Sequence, residues 1–154
     1  MISKIVIKDE DTILKLRSLG GGVDEEGQIS LHPLEAAYFA KRRVIDYDYS
    51  KLLKAAGPLA KERYHVLEYL RENGYISKPS FDSDLLRVYN KGFRPGEDRT
   101  FCIMKVVKDK RLSPEELRSF CEFAGKLRKE AVIAIVANLE EEPVFIKVSK
   151  TKLE

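Results

Sequence analysis

The stretch SPEELRSFCEFAGKLRKEAVIAIVA, residues 113–137, contains the signals of a helix and then of a strand. Ser113, Pro114 and Glu116 form a helix-capping pattern, with proline at the first helical position, where its missing N–H is not needed. The run at 131–137 is apolar throughout, which predicts a strand that is buried on both faces of a sheet. A helix followed by such a strand indicates an α/β domain.

The segments on either side predict further elements of this domain. Residues 58–73 carry apolar side chains at helical spacing, and Gly74 suits the end of that helix. The buried stripe of this helix is predicted to consist of Leu59, Val66, Leu67 and Leu70. Strands are predicted at residues 75–77, 85–89, 100–107 and 144–148. The expected C-terminal domain is therefore α/β, with a mixed sheet and flanking helices.

The N-terminal part is predicted to be a small α+β module. Gly57 and Pro58 mark the boundary, which divides the chain into this module at 1–57 and the α/β domain at 58–154. A helix is predicted to begin at Pro33. The glycines at 20–22 lack the Lys-Ser/Thr of a phosphate loop, so a flexible surface turn is expected there. Short strands are predicted at residues 5–7 and 44–45.

Composition excludes several classes of protein. The 154 residues carry 28 Lys plus Arg and 25 Asp plus Glu, a net charge of +3, which permits a nucleic-acid partner without indicating one. The longest apolar run, at 131–137, is too short to span a bilayer. Cys102 and Cys121 cannot build a disulfide scaffold, and both are expected to be core thiols of a cytoplasmic protein. Two cysteines and two histidines share no ligand spacing, so no metal and no cofactor are expected.

Four stretches in the same order resemble the archaeal tRNA-splicing endonuclease family. They are LHPLEAAY at 31–38, YHVLEYLRENGY at 64–75, LRVY at 86–89 and LRKEAVIAIV at 127–136. The resemblance implies a metal-free enzyme that cuts precursor tRNA at bulge-helix-bulge splice sites. In that reaction the ribose 2′-OH attacks the adjacent phosphate, leaving a 2′,3′-cyclic phosphate and a 5′-OH.

The resemblance also implies a degenerate catalytic triad. Tyr89 and Lys129 match the family's tyrosine and lysine, but Arg99 occupies the position of the histidine. A guanidinium has a pKa above about 12 and cannot donate a proton near neutral pH. Since a general acid is typically worth ~10²–10⁴ in rate, this chain is expected to be inactive alone. Packing and helix-end charge remain alternative roles for Tyr89 and Lys129.

Two further departures from the family's pattern also indicate a loss of catalysis. Glu122 stands where the family tends to carry an arginine that clamps a bulge base, and the turn at 79–84 is shorter than the family's glycine-bearing turn. The resulting hypothesis is a structural, non-catalytic subunit of a heterotetramer that also contains catalytic subunits. The alternatives are a divergent catalytic subunit, in which Arg99 binds phosphate, and a stand-alone RNA-binding module on the same fold.

The resemblance further implies surfaces for assembly and for RNA. In the family an acidic loop enters a basic cleft of the opposing subunit, and the last strand pairs with its counterpart. The matching residues here are Glu140, Glu141 and Glu142 in the loop, and Val144, Phe145 and Ile146 in the strand. A solvated turn and a simply buried strand are the alternatives. The cations expected to contact precursor tRNA are Arg94, Lys126 and Arg128, together with Arg99 and Lys129.

Overall fold

The computed structural model describes residues 2–92, 100–108 and 112–153. The N-terminal elements in chain order are β1 (Ile5–Ile7), α1 (Glu10–Ser18), β2 (Val23–Glu25), β3 (Gln28–Leu31), α2 (Pro33–Lys41) and α3 (Tyr49–Ala55). The remaining elements are α4 (Ala60–Glu72), β4 (Ser77–Pro79), β5 (Leu86–Tyr89), β6 (Thr100–Val107), α5 (Pro114–Lys126), β7 (Glu130–Ile135) and β8 (Val144–Val148).

The C-terminal elements form the mixed sheet that the sequence predicts. Its strand order is β4-β5-β6-β7-β8, and every pair is antiparallel except β6 and β7, which are parallel. The connection between these parallel strands is α5, whose first turn is capped because Ser113 Oγ accepts a hydrogen bond from the Glu116 N–H at 3.1 Å. The predicted bounds of β6 and β8 are confirmed, as is the helix start at Pro114.

Two helices cover the two faces of this sheet. Val66 and Leu70 of α4 pack on one face, and Phe120 and Ala124 of α5 pack on the other. The predicted buried stripe of α4 is confirmed at Val66, Leu67 and Leu70, but the prediction is wrong at Leu59. Because Leu59 is the residue before the first helical turn and has a φ of 54°, its side chain leaves the stripe and is exposed.

The N-terminal module contains a three-stranded antiparallel sheet in the order β1-β3-β2. Glu26 and Gly27, with φ values of 48° and 78°, form the two-residue turn between β2 and β3. The sequence reasoning missed α1, which begins after Asp9, whose carboxylate accepts a hydrogen bond from the Thr12 N–H at 3.0 Å.

The predicted strand at 44–45 is wrong. Both residues lie in a bend after α2, where Arg43 adopts a left-handed conformation with a φ of 60°. The Val44 N–H donates to the Phe39 carbonyl at 2.9 Å, which closes the end of the helix. The N–H group that a strand would use is therefore already bonded to the last turn of α2.

The expected surface turn at 20–22 is also wrong, because all three glycines are buried. A Cβ atom at Gly21 would lie 2.8 Å from Cε2 of Phe39, and one at Gly22 would lie 2.7 Å from the Ser30 carbonyl oxygen. The glycines therefore let this segment pack directly against α2 and β3.

A buried ion pair joins the N-terminal module to α4. Arg71 Nη2 lies 3.0 Å from Glu35 Oε2, and the two side chains are only 6% and 3% exposed. Glu35 also accepts the Gly22 N–H at 3.0 Å, while Arg71 donates to the Leu19 carbonyl at 2.8 Å. Helix α4 contributes to both cores, since Tyr64 and Leu67 pack in the N-terminal one. The division of the chain at residue 57 stays a prediction.

None of the helices in the described ranges combines the length and apolar character needed to cross a membrane. The same ranges contain no group of three or more His, Cys, Asp or Glu side chains placed to hold a metal ion.

Candidate functional site

Tyr89 and Lys129 lie at the same end of the large sheet. Tyr89 is the last residue of β5 and pairs with Thr100, the first residue of β6. In the parallel pair β6 and β7, Cys102 is opposite Glu130, so Lys129 immediately precedes the start of β7. Adjacent strands are about 4.8 Å apart, so the two backbone positions are roughly 10 Å apart, on either side of β6.

The Tyr89 ring is held within the protein. The residue is only 8% exposed, and the strand pairing shifts by a bulge between Val88 and Tyr89. The Lys78 ammonium lies 6.0 Å from the centroid of the ring, and it also donates a hydrogen bond to the Gly22 carbonyl at 2.6 Å. This burial favours the packing role among the alternatives for Tyr89.

Lys129 is positioned by the C-terminal turn of α5. The Lys129 N–H donates to the Ala124 carbonyl at 2.9 Å, and the Arg128 N–H donates to the Gly125 carbonyl at 3.0 Å. This arrangement is a Schellman motif, which requires a left-handed residue at Arg128, where φ is 56°. Glycine usually occupies such a position, so the chain accepts local strain where Lys129 enters the sheet.

Three cations cluster at this helix end. The side chains of Lys126 and Arg128 are exposed and that of Lys129 is half-buried, and none of them pairs with a carboxylate in the described residues. They complement the negative end of the helix dipole and stay available to a phosphate. Glu122, one turn earlier, pairs with Lys150 at 3.3 Å. The other two predicted cations, Arg94 and Arg99, lie outside the described residues.

No imidazole in the described part of the chain lies at this sheet end. His32 caps α2 in the N-terminal module, and His65 lies on α4, where its Nε2–H donates to the Glu141 carbonyl at 2.6 Å. The nearby Cys102 thiol is a core group, as predicted, and burial followed by the Glu130 charge raises its pKa to about 12. Cys121 is half-buried. The described sheet end therefore offers a phenol and a lysine but no imidazole, the side chain best suited to exchange protons near neutral pH.

A family profile described as tRNA intron endonuclease, catalytic C-terminal domain, matches residues 60–145. The chain belongs to the tRNA intron endonuclease family. A Thermococcus kodakarensis protein named tRNA-splicing endonuclease is 30% identical over 122 residues, covering 72% of this chain and 71% of that protein. The Saccharolobus islandicus protein of that name is 30% identical over 139 residues, which cover 81% of this chain and 75% of that protein. The Pyrococcus furiosus protein of that name is 29% identical over 136 residues, which cover 81% of this chain and 78% of that protein.

The acidic loop of this endonuclease-family chain has a defined conformation. Glu140, Glu141 and Glu142 are all exposed. Asn138 Oδ1 accepts a hydrogen bond from the Glu140 N–H at 2.8 Å, and His65 bonds the Glu141 carbonyl from α4. His65 is half-buried, and the sequence gives no signal of its contact with the loop, because 76 residues separate the partners.

The last strand leaves an apolar face uncovered. In the described residues β8 pairs with β7 alone, so its other backbone edge is open. Val144 and Ile146 are 57% and 45% exposed. Phe145 points to the opposite face, where it is half-buried and its ring centroid lies 5.7 Å from that of Tyr69. An exposed apolar edge strand is a ready surface for pairing with another chain.

A groove of about 900 Å³ runs between α3 and α4. Lysines are prominent in its wall, namely Lys41, Lys54, Lys61 and Lys108. Lys41 pairs with Glu68 at 3.2 Å and Lys108 with Glu62 at 3.5 Å. In the described structure Lys54 and Lys61 have no ionic partner, so the groove keeps two uncompensated positive charges.

Proposed function

We propose that this chain is the structural, non-catalytic subunit of a heterotetrameric tRNA-splicing endonuclease. The observation that carries the proposal is the sheet end at Tyr89 and Lys129, which has no imidazole in its described part, while the sequence supplies Arg99 at the family's histidine position. Cleavage forms a bond between the 2′-oxygen and phosphorus and breaks the bond to the 5′-oxygen. That leaving oxygen requires a proton, which a guanidinium does not release near neutral pH.

The surfaces that assembly requires support this role. The acidic loop is held against α4 before any partner arrives, so less conformational entropy is lost when it enters a basic cleft. The groove with Lys54 and Lys61 has the charge needed to receive an acidic loop of another subunit. The open edge of β8, with Val144 and Ile146, would be covered by the matching strand of the catalytic subunit.

Precursor tRNA is the proposed RNA partner, in the cytoplasm. Lys126, Arg128 and Lys129 form a basic cluster that has no carboxylate partner among the described residues, and Arg94 and Arg99 stand between β5 and β6 in the sequence. Such cations read the backbone and shape of folded RNA, with a marked dependence on salt. In this proposal the chain supplies scaffold and positive charge, and the partner supplies the complete triad.

A divergent catalytic subunit is the second candidate. The specific observation in its favour is that Tyr89 and Lys129 lie at the same sheet end, separated by one strand. In this reading Arg99 binds the phosphate and another group supplies the proton to the leaving oxygen.

Cleavage of a bulge-helix-bulge RNA in EDTA distinguishes the two candidates. We expect no cleavage by this chain alone, and cleavage by a heterotetramer after mixing with a catalytic subunit that retains the histidine. Size and composition are measured by sedimentation on the same samples. Cleavage by the isolated chain would overturn the structural role, and failure to co-assemble with an active partner would overturn the heterotetramer.

A further inference from the structure

Two buried basic side chains at the junction of the N-terminal module and α4 keep unpaired hydrogen-bond donors. His32 is 1% exposed and Arg63 is 3% exposed. Within the described ranges, Nε2 of His32 and both Nε and Nη2 of Arg63 are buried without a hydrogen-bond partner. Nearly all buried polar groups in proteins are paired, so three unpaired nitrogens at one junction call for a ligand.

The hydrogen bonding of His32 shows that its free nitrogen is a donor. Nδ1 of His32 accepts a hydrogen bond from the Leu34 N–H at 3.0 Å, which caps α2. In a neutral imidazole the proton then lies on Nε2. Burial, with a smaller contribution from the Arg63 charge, lowers the pKa of His32 to about 3, so the ring is neutral at ordinary pH.

Arg63 is a buried cation that no carboxylate contacts in the described part of the chain. Its Nη1 donates to the Ala56 carbonyl at 3.4 Å, which satisfies one of the three guanidinium nitrogens. Among the described residues, Asp84 is the carboxylate that acts on Arg63, and it does so from a distance and without a hydrogen bond. A buried charge is costly unless it is paired and hydrogen-bonded.

The two side chains lie under the segment that leads into β5. The Phe81 ring centroid is 5.5 Å from that of His32, and Asp84 lies within electrostatic range of Arg63. Arg63 in turn lies within electrostatic range of His32. The junction therefore presents N–H donors and a guanidinium that no carboxylate contacts in the described residues, since Asp84 lies 3.8 Å from Lys105 and acts on Arg63 only from a distance. A compact acceptor with negative charge would satisfy these donors.

We propose that the free N–H groups of His32 and Arg63 hold one buried chloride ion. Chloride accepts several N–H donors at once, brings no donor of its own and neutralises the guanidinium. A water molecule would bring two O–H donors to a site of donors and would leave the charge unbalanced. This inference is independent of the subunit role, because the site lies in the folded core of the single chain.

The first test is the chloride dependence of thermal stability at constant ionic strength, with gluconate as the replacing anion. Binding to the folded state alone raises Tm, by about 3–5 °C for each tenfold increase in chloride above its dissociation constant. His32→Ser removes the Nε2 donor but keeps a good helix cap, so we expect a smaller chloride effect. Arg118→Met, at an exposed arginine of α5, is the matched control and should keep the full effect.

The second test is direct localisation with bromide, which replaces chloride and scatters anomalously. A crystal grown in bromide should show one anomalous peak between His32 Nε2 and the Arg63 guanidinium. Equal Tm in chloride and gluconate, or a site that contains only water, would overturn the proposal. A structure in which the Asp84 carboxylate contacts the Arg63 guanidinium would also overturn it. In that case Asp84→Asn would lower the stability of the protein equally with and without chloride.

Discussion

The sheet end at Tyr89 and the surface around β8 differ in what they offer to solvent. At the sheet end the tyrosine is buried, and the described residues there include no imidazole. Around β8 the loop carboxylates, Val144 and Ile146 are exposed, and the loop is held in place by His65. This contrast supports a protein in which the surfaces for assembly are retained while the chemistry belongs to a partner.

The largest expected effect comes from adding charge to the open edge of β8. Val144 and Ile146 are about half exposed, so covering each one is worth about half of the 1.5–3 kcal/mol of full burial. In Val144→Asp, Ile146→Asp this burial is lost, and two carboxylates must be desolvated. We expect the dissociation constant of the heterotetramer to rise at least ~100-fold, measured by sedimentation of mixed subunits.

The control for this variant is Leu14→Asp, at a leucine of α1 that is similarly exposed. It should leave assembly unchanged, and both variants should keep the wild-type Tm as isolated chains. If the β8 variant assembled normally, the open strand would not be an interface, and the contrast between the two regions would lose its main support.

The next effect concerns the charge of the acidic loop. Changing Glu140, Glu141 and Glu142 together to Gln keeps the loop backbone and its contact with His65 but removes three charges. We expect about tenfold weaker assembly at low salt and a smaller difference at high salt, because exposed charges are screened. The same change at Glu115 and Glu116 of α5 is the control. The control removes two charges and the loop variant three, so an equal loss per charge would mean that only net charge matters.

A smaller effect is expected at the basic cluster of α5. Lys126→Gln combined with Arg128→Asn removes two charges, and asparagine tolerates the left-handed backbone at residue 128. The slope of log affinity against log salt for the RNA should fall by about 1.4–1.8, as expected for two lost phosphate contacts. Filter binding of the heterotetramer over a salt series measures it. Neutralising Lys15 and Lys51 is the control, and an unchanged slope in the α5 variant would exclude this cluster from the RNA contact.

The sequence predicted the C-terminal domain better than the N-terminal module, for physical reasons. The alternating and continuous apolar patterns of β6, β7 and β8 are strong signals, and the cap at Ser113 is local. Helix α1 is only nine residues long, although Asp9 followed by Ile13 and Leu16 was a usable signal. Residues 44–45 have strand-like side chains, but the end of α2 takes the backbone N–H of Val44.

The candidate site was predictable in part. The resemblance selected Tyr89 and Lys129 by their neighbours in sequence, but their common sheet end depends on the parallel register of β6 and β7, which no local pattern fixes. The contact of His65 with the acidic loop joins segments distant in sequence, and whether the Arg63 donors find partners depends on the segments packed around them. Such contacts follow from packing, so they emerge only in three dimensions.

The smallest expected effect is that of a substitution at Tyr89. This substitution tests most directly whether the sheet end of this chain takes part in the chemistry. Tyr89→Phe keeps the ring that packs in the sheet and removes only the hydroxyl. In a heterotetramer with a catalytic subunit we expect kcat for RNA cleavage to change less than about threefold, whereas removing a group that takes part in proton transfer typically costs ~10²–10⁴. The matching tyrosine of the catalytic subunit is the control and should show that large loss. A large loss from Tyr89→Phe, with Tm and assembly unchanged, would move this chain from scaffold to divergent catalyst, because packing alone does not change the chemical step.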